Sequence, residues 1–229
     1  MTLKEMIYRR KSCRSFTHIP VDDATIETIK AFSIKPLYPE IKVRWDIVPR
    51  NKVQCICPWT TPQLIAIYSE ETEGYLENIG FMFQQMDLYL QSLGLGVCWL
   101  GMGRMNPKTA IKVEHMQFII MLAFGHPKGD RLRHDLKEFK RKPLAQITDQ
   151  ADPNLEPARL APSAVNSQPW YFIHEGDIVH AYCSKKGSRL DAGIALAHLY
   201  VANGDSFQFF KTENPPAVPG YDYIGSVTL

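Results

Sequence analysis

The sequence predicts an α+β protein made of two related halves, with a mixed or antiparallel central sheet flanked by helices. Three observations carry this expectation. Glu73 to Leu93 places Leu76, Ile79, Phe83, Met86, Leu90 and Leu93 at spacings of three and four, the mark of a long helix. Met82 and Tyr89 add a second stripe, so both faces are covered and the helix is central. Short runs of β-branched and aromatic residues lie on both sides of it, between turn formers. Finally, an order of elements recurs. Trp45-Asp-Ile-Val, a turn and an alternating strand ending at Cys57 parallel Trp170-Tyr-Phe-Ile, a turn and a strand ending at Cys183. Each is followed by an apolar helix with a glycine in its first half, Gly80 and Gly193. The period is far longer than the roughly 20–50 residues of a solenoid repeat. It fits one folding unit, duplicated and diverged into residues 1–147 and 148–229.

The elements follow in order. Thr2 to about Arg10 reads as a helix, with Thr2 and Glu5 set for a capping box. Val21 to about Phe32 reads as a second, capped at Asp22 or Asp23, before Pro36 and Pro39 break the pattern. Val43 to Val48 is a strand whose expected hairpin partner is Val53 to Cys57, and Gln63 to Tyr68 is a third strand. The long helix stops at Gly94, in the usual position just past a helix end. Val97 to Leu100 is a short buried segment, and Gln117 to Phe124 is an apolar run that fits a buried strand. Thr148 to Pro157 is polar and proline-containing, as in a linker. Trp170 to His174 and Ile178 to Cys183 form a hairpin around Glu175-Gly176-Asp177. Leu190 to Ala202 is a helix with Ile194, Ala197, His198 and Val201 on one stripe, and the proline-bearing tail is irregular.

Composition sets bounds. With 229 residues, 45% hydrophobic and 22% charged, the chain can bury a sizeable core. A net charge of +2 is too weak to argue for nucleic acid. The cations are uneven, however: Arg131 to Lys142 holds six Lys or Arg in twelve residues. The five cysteines, Cys13, Cys55, Cys57, Cys98 and Cys183, lack C-x-x-C spacing and read as reduced, mostly buried packing residues. The N-terminus lacks a signal-peptide apolar region, and no run reaches the roughly 18 apolar residues of a membrane span. A cytoplasmic protein without membrane partners is expected. No metal site is expected, because no metal-binding or Ser-His-Asp hydrolase motif occurs among the histidines and serines.

Four segments carry chemistry. Leu160 to Trp170 packs turn formers, small polar residues and an aromatic into an uncharged loop, which makes sense as a tight polar surface against a ligand. Arg9 to Phe16 carries four cations with a hydroxyl, which suit phosphate oxygens through bidentate, charge-assisted bonds. The same residues also read as a solvated basic helix end. Gly94 to Gly101 reads as a helix stop followed by a core strand. It is not a dinucleotide fingerprint, because Trp99 stands where the third glycine belongs. Gly125-His-Pro-Lys128 and Lys140-Arg-Lys-Pro143 read alone as a solvated basic face.

Together these segments resemble the motifs of the FMN-dependent nitroreductase family. Pro162-Ser163-Ala164-Val165-Asn166-Ser167-Gln168-Pro169-Trp170 is similar to its flavin-facing loop, displaced here to two-thirds of the way along the chain. Arg10-Lys11-Ser12-Cys13-Arg14 resembles its N-terminal phosphate motif, Gly94 to Gly101 the motif after its central helix, and Lys140-Arg141-Lys142-Pro143 its closing motif. The resemblance implies a nitroreductase-like fold. It implies an FMN site with Arg10, Lys11, Ser12 and Arg141 toward the phosphate, Arg14 near the pyrimidine edge, and Leu100 and Gly101 beside N5. Pro162, Ser163, Ala164 and Asn166 would lie against the flavin from the second half. No general acid or base is implied. The first half lacks the loop and the second lacks the phosphate motif, so the resemblance is to small family members with an internal duplication, in which one chain forms a pseudo-dimer. One flavin site would be intact and the other degenerate, and the chain would be a monomer or a homodimer. The implied activity is hydride transfer from NAD(P)H through FMN to a small nitroaromatic or quinone-like acceptor. A flavin-binding or storage protein without turnover, a flavin-using dehalogenase and a flavin-degrading enzyme are the alternatives. The Asn and Lys that many members carry after the first hairpin are absent; Ser69-Glu-Glu-Thr-Glu stands there.

Overall fold

The computed structural model describes residues 1–108 and 113–229. Its helices are α1 (Leu3–Ile7), α2 (Asp23–Lys30), α3 (Tyr75–Ser92), α4 (Glu156–Arg159) and α5 (Arg189–Asn203). Its strands are β1 (Val43–Pro49), β2 (Val53–Gln54), β3 (Gln63–Ser69), β4 (Gly96–Leu100), β5 (Arg104–Met105), β6 (Gln117–Gly125), β7 (Trp170–Glu175), β8 (Ile178–Ser184), β9 (Gln208–Phe210) and β10 (Tyr221–Thr228). The Thr2–Glu5 capping box forms at α1, and Gly94 takes the left-handed conformation (φ 93°) past the end of α3.

The strands form two antiparallel four-stranded sheets, ordered β1-β3-β6-β4 and β7-β8-β10-β9. The second order repeats the first: a hairpin, a helix, an edge strand, then a strand returning between that edge and the hairpin. One cluster of buried apolar side chains joins both sheets, with Ile65, Ile67 and Phe124 from the first, and Phe172, Ala181 and Ile224 from the second. Phe83 of α3 and Ile194 of α5 lie in the same cluster.

The two long helices cross at Gly80 and Gly193. A β-carbon on Gly80 would stand 2.0 Å from the Leu190 carbonyl oxygen, and one on Gly193 would stand 2.0 Å from that of Glu77. Each glycine meets the carbonyl three residues before the other, a reciprocity of the kind found at a two-fold interface. Arg189 reinforces the crossing by donating its Nε–H to Glu77 Oε1 at 2.6 Å.

Several expectations need correction. The partner of β1 is β3, with Trp45 opposite Ile67, while Val53 and Gln54 pair with β5 instead. The physical reason is burial: β3 is an apolar run buried almost throughout, so it needs a partner on both edges, whereas Cys55 and Cys57 stay half-exposed. In strand order, β8 therefore takes the place in its sheet that β3 takes in the first. Residues 148–157 are no free linker. Ile147 and Leu155 are fully buried, Thr148 bridges Phe172, and Asp152 caps the turn at Asn154. The tail is not irregular throughout, because Tyr221 to Thr228 enters the second sheet between β8 and β9. Its prolines are confined to the preceding loop, where no ladder hydrogen bond is lost. Gly225 sits at a register shift, with the Phe209 ring 2.2 Å from where its β-carbon would be. All five cysteines are free, but only Cys98 and Cys183 are buried.

Candidate flavin site

The segment after α1 runs alongside β4. Ser12 bridges Val97, and the Cys13 N–H donates to the Val97 carbonyl at 2.8 Å, so the N-terminal basic motif lies against the Gly94 to Gly101 motif. Arg10 bridges Leu132, and Arg133 donates through its backbone to Arg9 at 2.8 Å and through its guanidinium to the Arg10 carbonyl. The Arg133 guanidinium lies 4.2 Å from the Phe139 ring centroid. Lys140 adopts a left-handed conformation (φ 51°), and the chain turns there toward Arg141. A cleft of about 410 Å³ results, lined by Lys11, Ser12, Arg14, Arg133, Lys140 and Arg141, with Glu138 the one acidic residue in its lining.

Electrostatically this cleft is unbalanced. Burial, and then the charges of Arg10, Arg133 and Arg159, push the Arg141 guanidinium down to about 9. Burial, followed by Arg10, pushes Arg133 down to about 10. Arg141 Nε is buried and has no hydrogen-bond partner among the described residues. Clustered like charges with an unsatisfied donor are costly unless an anion completes them.

The loop from the second half closes the cleft. Asn166 accepts a hydrogen bond from Arg141 and donates its amide to the Lys140 carbonyl at 3.0 Å. Lys142 donates from its backbone to Gln168 Oε1 at 2.7 Å and from Nζ to the Gln168 carbonyl at 3.0 Å. Val165, Asn166 and Gln168 all have positive φ (48°, 59° and 48°), a region that non-glycine residues enter at a cost of about 1–3 kcal/mol each. Val165 is 99% exposed and lines the cleft, so no burial of its own offsets that cost.

A second cavity of about 210 Å³ continues from the first, sharing Ser12, Arg14, Pro162, Ser163 and Val165. Trp99, Ile120, Leu190 and Ile194 give it apolar walls, and Gly101, Ala164 and Asp191 lie along it. Trp99 Nε1 donates to Gln84 Oε1 at 3.0 Å, which fixes the indole. A β-carbon on Gly101 would meet nothing within 4 Å, so this backbone faces open space. A cationic cleft thus opens into a smaller, more enclosed and largely apolar cavity, and residues from both ends of the chain line each.

Comparison with known proteins gives the family. Residues 2–203 match the family described as "Putative TM nitroreductase". The chain belongs to this nitroreductase family. Among solved structures it is similar to "a putative nitroreductase" from Thermotoga maritima MSB8, at 22% identity and a TM-score of 0.69, covering 99% of this chain and 92% of that one. It is also similar to a nitroreductase family protein from Clostridium difficile 630, at 18% identity and a TM-score of 0.51, covering 66% of this chain and 99% of that one. A further similar structure is "a putative nitroreductase in complex with FMN" from Desulfovibrio desulfuricans, at 20% identity and a TM-score of 0.42, covering 62% and 96%. No curated protein matches.

In this chain the residues named from sequence mostly converge. Lys11, Ser12, Arg14, Gly101, Arg141, Pro162, Ser163, Ala164 and Asn166 line one or both cavities. Arg10 and Leu100 do not. Arg10 is 1% exposed, and its Nε–H donates to Asp87 Oδ1 at 2.9 Å. Asp87 also accepts from Gln91 Nε2 at 2.8 Å. The Leu100 side chain packs with Val48 and Met121 in a separate core cluster. Sequence reasoning missed Arg133 and Asp191. Arg133 was hidden within a basic run, and the only signal at Asp191 is an acidic residue in the first turn of a helix. Among the described residues, no group of three or more His, Cys, Asp or Glu is placed to hold a metal, and no helix is long and apolar enough to cross a membrane.

Proposed function

We propose that this chain is an FMN-dependent NAD(P)H oxidoreductase that passes electrons to a small nitroaromatic or quinone-like acceptor. The observation carrying this reading is the buried, unpartnered Arg141 Nε inside a cleft of like charges, open to an apolar cavity. That donor set fits a phosphate monoester next to a planar ring. FMN, when bound, supplies the hydride-transfer chemistry.

The chain's own residues do the rest. Lys11, Ser12, Arg133 and Arg141 hold the phosphate through charge-assisted bonds. Trp99, Leu190 and Ile194 exclude water from the ring's place. Arg14, which lines both cavities, would set a positive charge beside a bound ring and so stabilise negative charge on it, a Coulomb effect that strengthens as water is excluded. The backbone at Gly101 and the Pro162 to Asn166 loop lie along the same cavity. No side-chain acid is required.

In this reading, residues 1–147 and 148–229 are the two halves of a single-chain pseudo-dimer with one flavin per chain. The repeated strand order and the reciprocal glycines support it. The molecule is a monomer, or a homodimer of such chains. Free cysteines suit a reducing compartment such as the cytoplasm.

The test is purification followed by FMN titration. The expected protein is yellow, binds one FMN per chain and oxidises NADH or NADPH when an acceptor is added. Protein that stays colourless in excess FMN rejects the reading. Binding without NAD(P)H oxidation leaves a flavin-holding protein rather than an enzyme.

A further inference from the structure

Asp191 stands in the first turn of α5, is 4% exposed and lines the apolar cavity. Its carboxylate oxygens accept the Ala164 N–H at 3.2 and 3.1 Å. This is the contact that ties the loop to α5; its other polar ties run to residues 140–142, within the loop itself, or from the Ser184 N–H to the Pro169 carbonyl at 2.8 Å. The first half uses the same device. Asn78, two residues before Gly80 as Asp191 is two before Gly193, accepts the Leu37 and Tyr38 N–H groups at 2.8 and 3.0 Å. There a neutral amide holds an apolar turn. Here a carboxylate holds a turn whose backbone enters the left-handed region at three non-glycine residues.

We propose that Asp191 is the positioning residue of the flavin cradle: by holding Ala164, it keeps the Pro162 to Asn166 loop in the strained turn that joins the two cavities. This inference rests on the FMN reading of the site. Strain of this kind persists only where neighbouring contacts over-determine it, and this contact anchors the loop to the helix that forms the cavity wall.

The charged and titratable groups around Asp191 are few. Arg189 of its own helix is paired with Glu77 of α3, Cys183 approaches from β8, and Arg14 and Cys98 line the cavity with it. None forms an ion pair with it. Burial therefore raises the Asp191 carboxyl to about 6 against the opposing Ala164 hydrogen bond. Protonation below that pH weakens the acceptor and loosens the loop.

The test compares the whole chain with Asp191→Ala and Asp191→Asn. Amide hydrogen exchange is measured over residues 162–168 without flavin, together with the FMN dissociation constant between pH 5 and 8. Asp191→Ala is expected to speed exchange in this loop by about tenfold or more, without a comparable change in α3, and to weaken FMN about tenfold. Asp191→Asn keeps a neutral, weaker acceptor and is expected to restore both only in part at pH 7.5. The FMN phosphate titrates alike in both proteins, so the difference between the wild-type and Asp191→Asn profiles isolates the carboxyl and should show a step near pH 6. Unchanged exchange and affinity in Asp191→Ala overturn the proposal. If that variant does not fold, identical pH profiles for wild type and Asp191→Asn overturn it. A wild-type chain that takes no FMN rejects the flavin reading instead, and the exchange comparison still tests whether Asp191 holds the loop.

Discussion

One residue past Gly193 stands Ile194, which lines the apolar cavity; one residue past Gly80 stands Phe81, stacked on Phe207 at 5.9 Å and tilted against Tyr200 at 5.4 Å. Seven residues past Gly80 stands Asp87, the partner of Arg10; seven past Gly193 stands Tyr200, in the aromatic stack. The turn held by Asp191 presents Ser163 and Asn166. The turn held by Asn78 presents Tyr38, whose ring meets Phe209 edge-on at 5.4 Å and lies 5.6 Å from Lys211 Nζ. The same elements thus surround both sides of the helix crossing, but one side leaves a basic cleft and the other is packed with rings. The difference teaches that the scaffold does not by itself make a site. A cleft needs side chains that decline to fill it and charges that need an outside partner.

The sharpest way to break this comparison is through Asp87, which belongs to the basic half alone. Asp87→Ala leaves the Arg10 guanidinium buried and unpaired, a loss of about 3–5 kcal/mol. Urea unfolding should show it; a loss below 1 kcal/mol would mean that Arg10 is solvated. Arg10→Ala should likewise act mainly on stability, because Arg10 lies outside both cavities.

Next comes the crossing. Gly80→Ala and Gly193→Ala each place a methyl group against backbone, at a cost of about 1–3 kcal/mol. Thermal unfolding should show similar losses for both. A large loss at one glycine and none at the other would break the reciprocity on which the two-half description rests.

Arg141→Ala sharpens the comparison from the ligand side. It removes the orphaned Nε and the repulsion within the cleft, but also the bonds to Asn166 and to the Phe139 and Leu160 carbonyls, so stability should fall by about 1 kcal/mol. FMN affinity should fall roughly tenfold to hundredfold, the worth of about 1.5–3 kcal/mol for hydrogen bonds to a charged group. Isothermal titration checks this, and the difference should shrink at high salt.

The smallest effect belongs to His174, which ties β7 to residues 149–152. Burial opposes its charge, but the Asp149 and Asp152 carboxylates, at 2.9 and 3.2 Å, prevail and raise it above 6.5. A raised folded-state value means that this stabilisation is complete below the unfolded value and lost as pH rises through the folded one. With solvent near the carboxylates, the loss should stay under about 1 kcal/mol. Melting temperatures of wild type and His174→Gln from pH 6 to 9 should converge as pH rises. A constant gap would show that the imidazole acts only by packing.

Much of the lining of the two cavities was legible because its signals are short-range. The Pro162 to Trp170 loop, the Ser12–Arg14 segment and Arg141 are marked by neighbours in sequence, and the structure brings them to one place. Arg133 was illegible because a guanidinium in a basic run looks the same whether it faces water or a cleft. The Arg10–Asp87 pair was illegible because a partner 77 positions away leaves no local trace.

The sequence by itself determined α1, α2, α3 and α5, the Thr2 cap, the stop at Gly94 and the hairpin at Gly176, since each depends on residues within a turn or two of one another, but not the short α4. It also marked Gly80 and Gly193 as a related pair. Only the tertiary structure decided that β1 pairs with β3, that β10 enters the second sheet, and that Tyr38 fills one cleft while Asp191 helps shape the other. Strand partners are chosen by which faces must be buried together, and a charge is spent or left available according to what folds against it. Both are properties of contacts between distant segments, where no local pattern reaches.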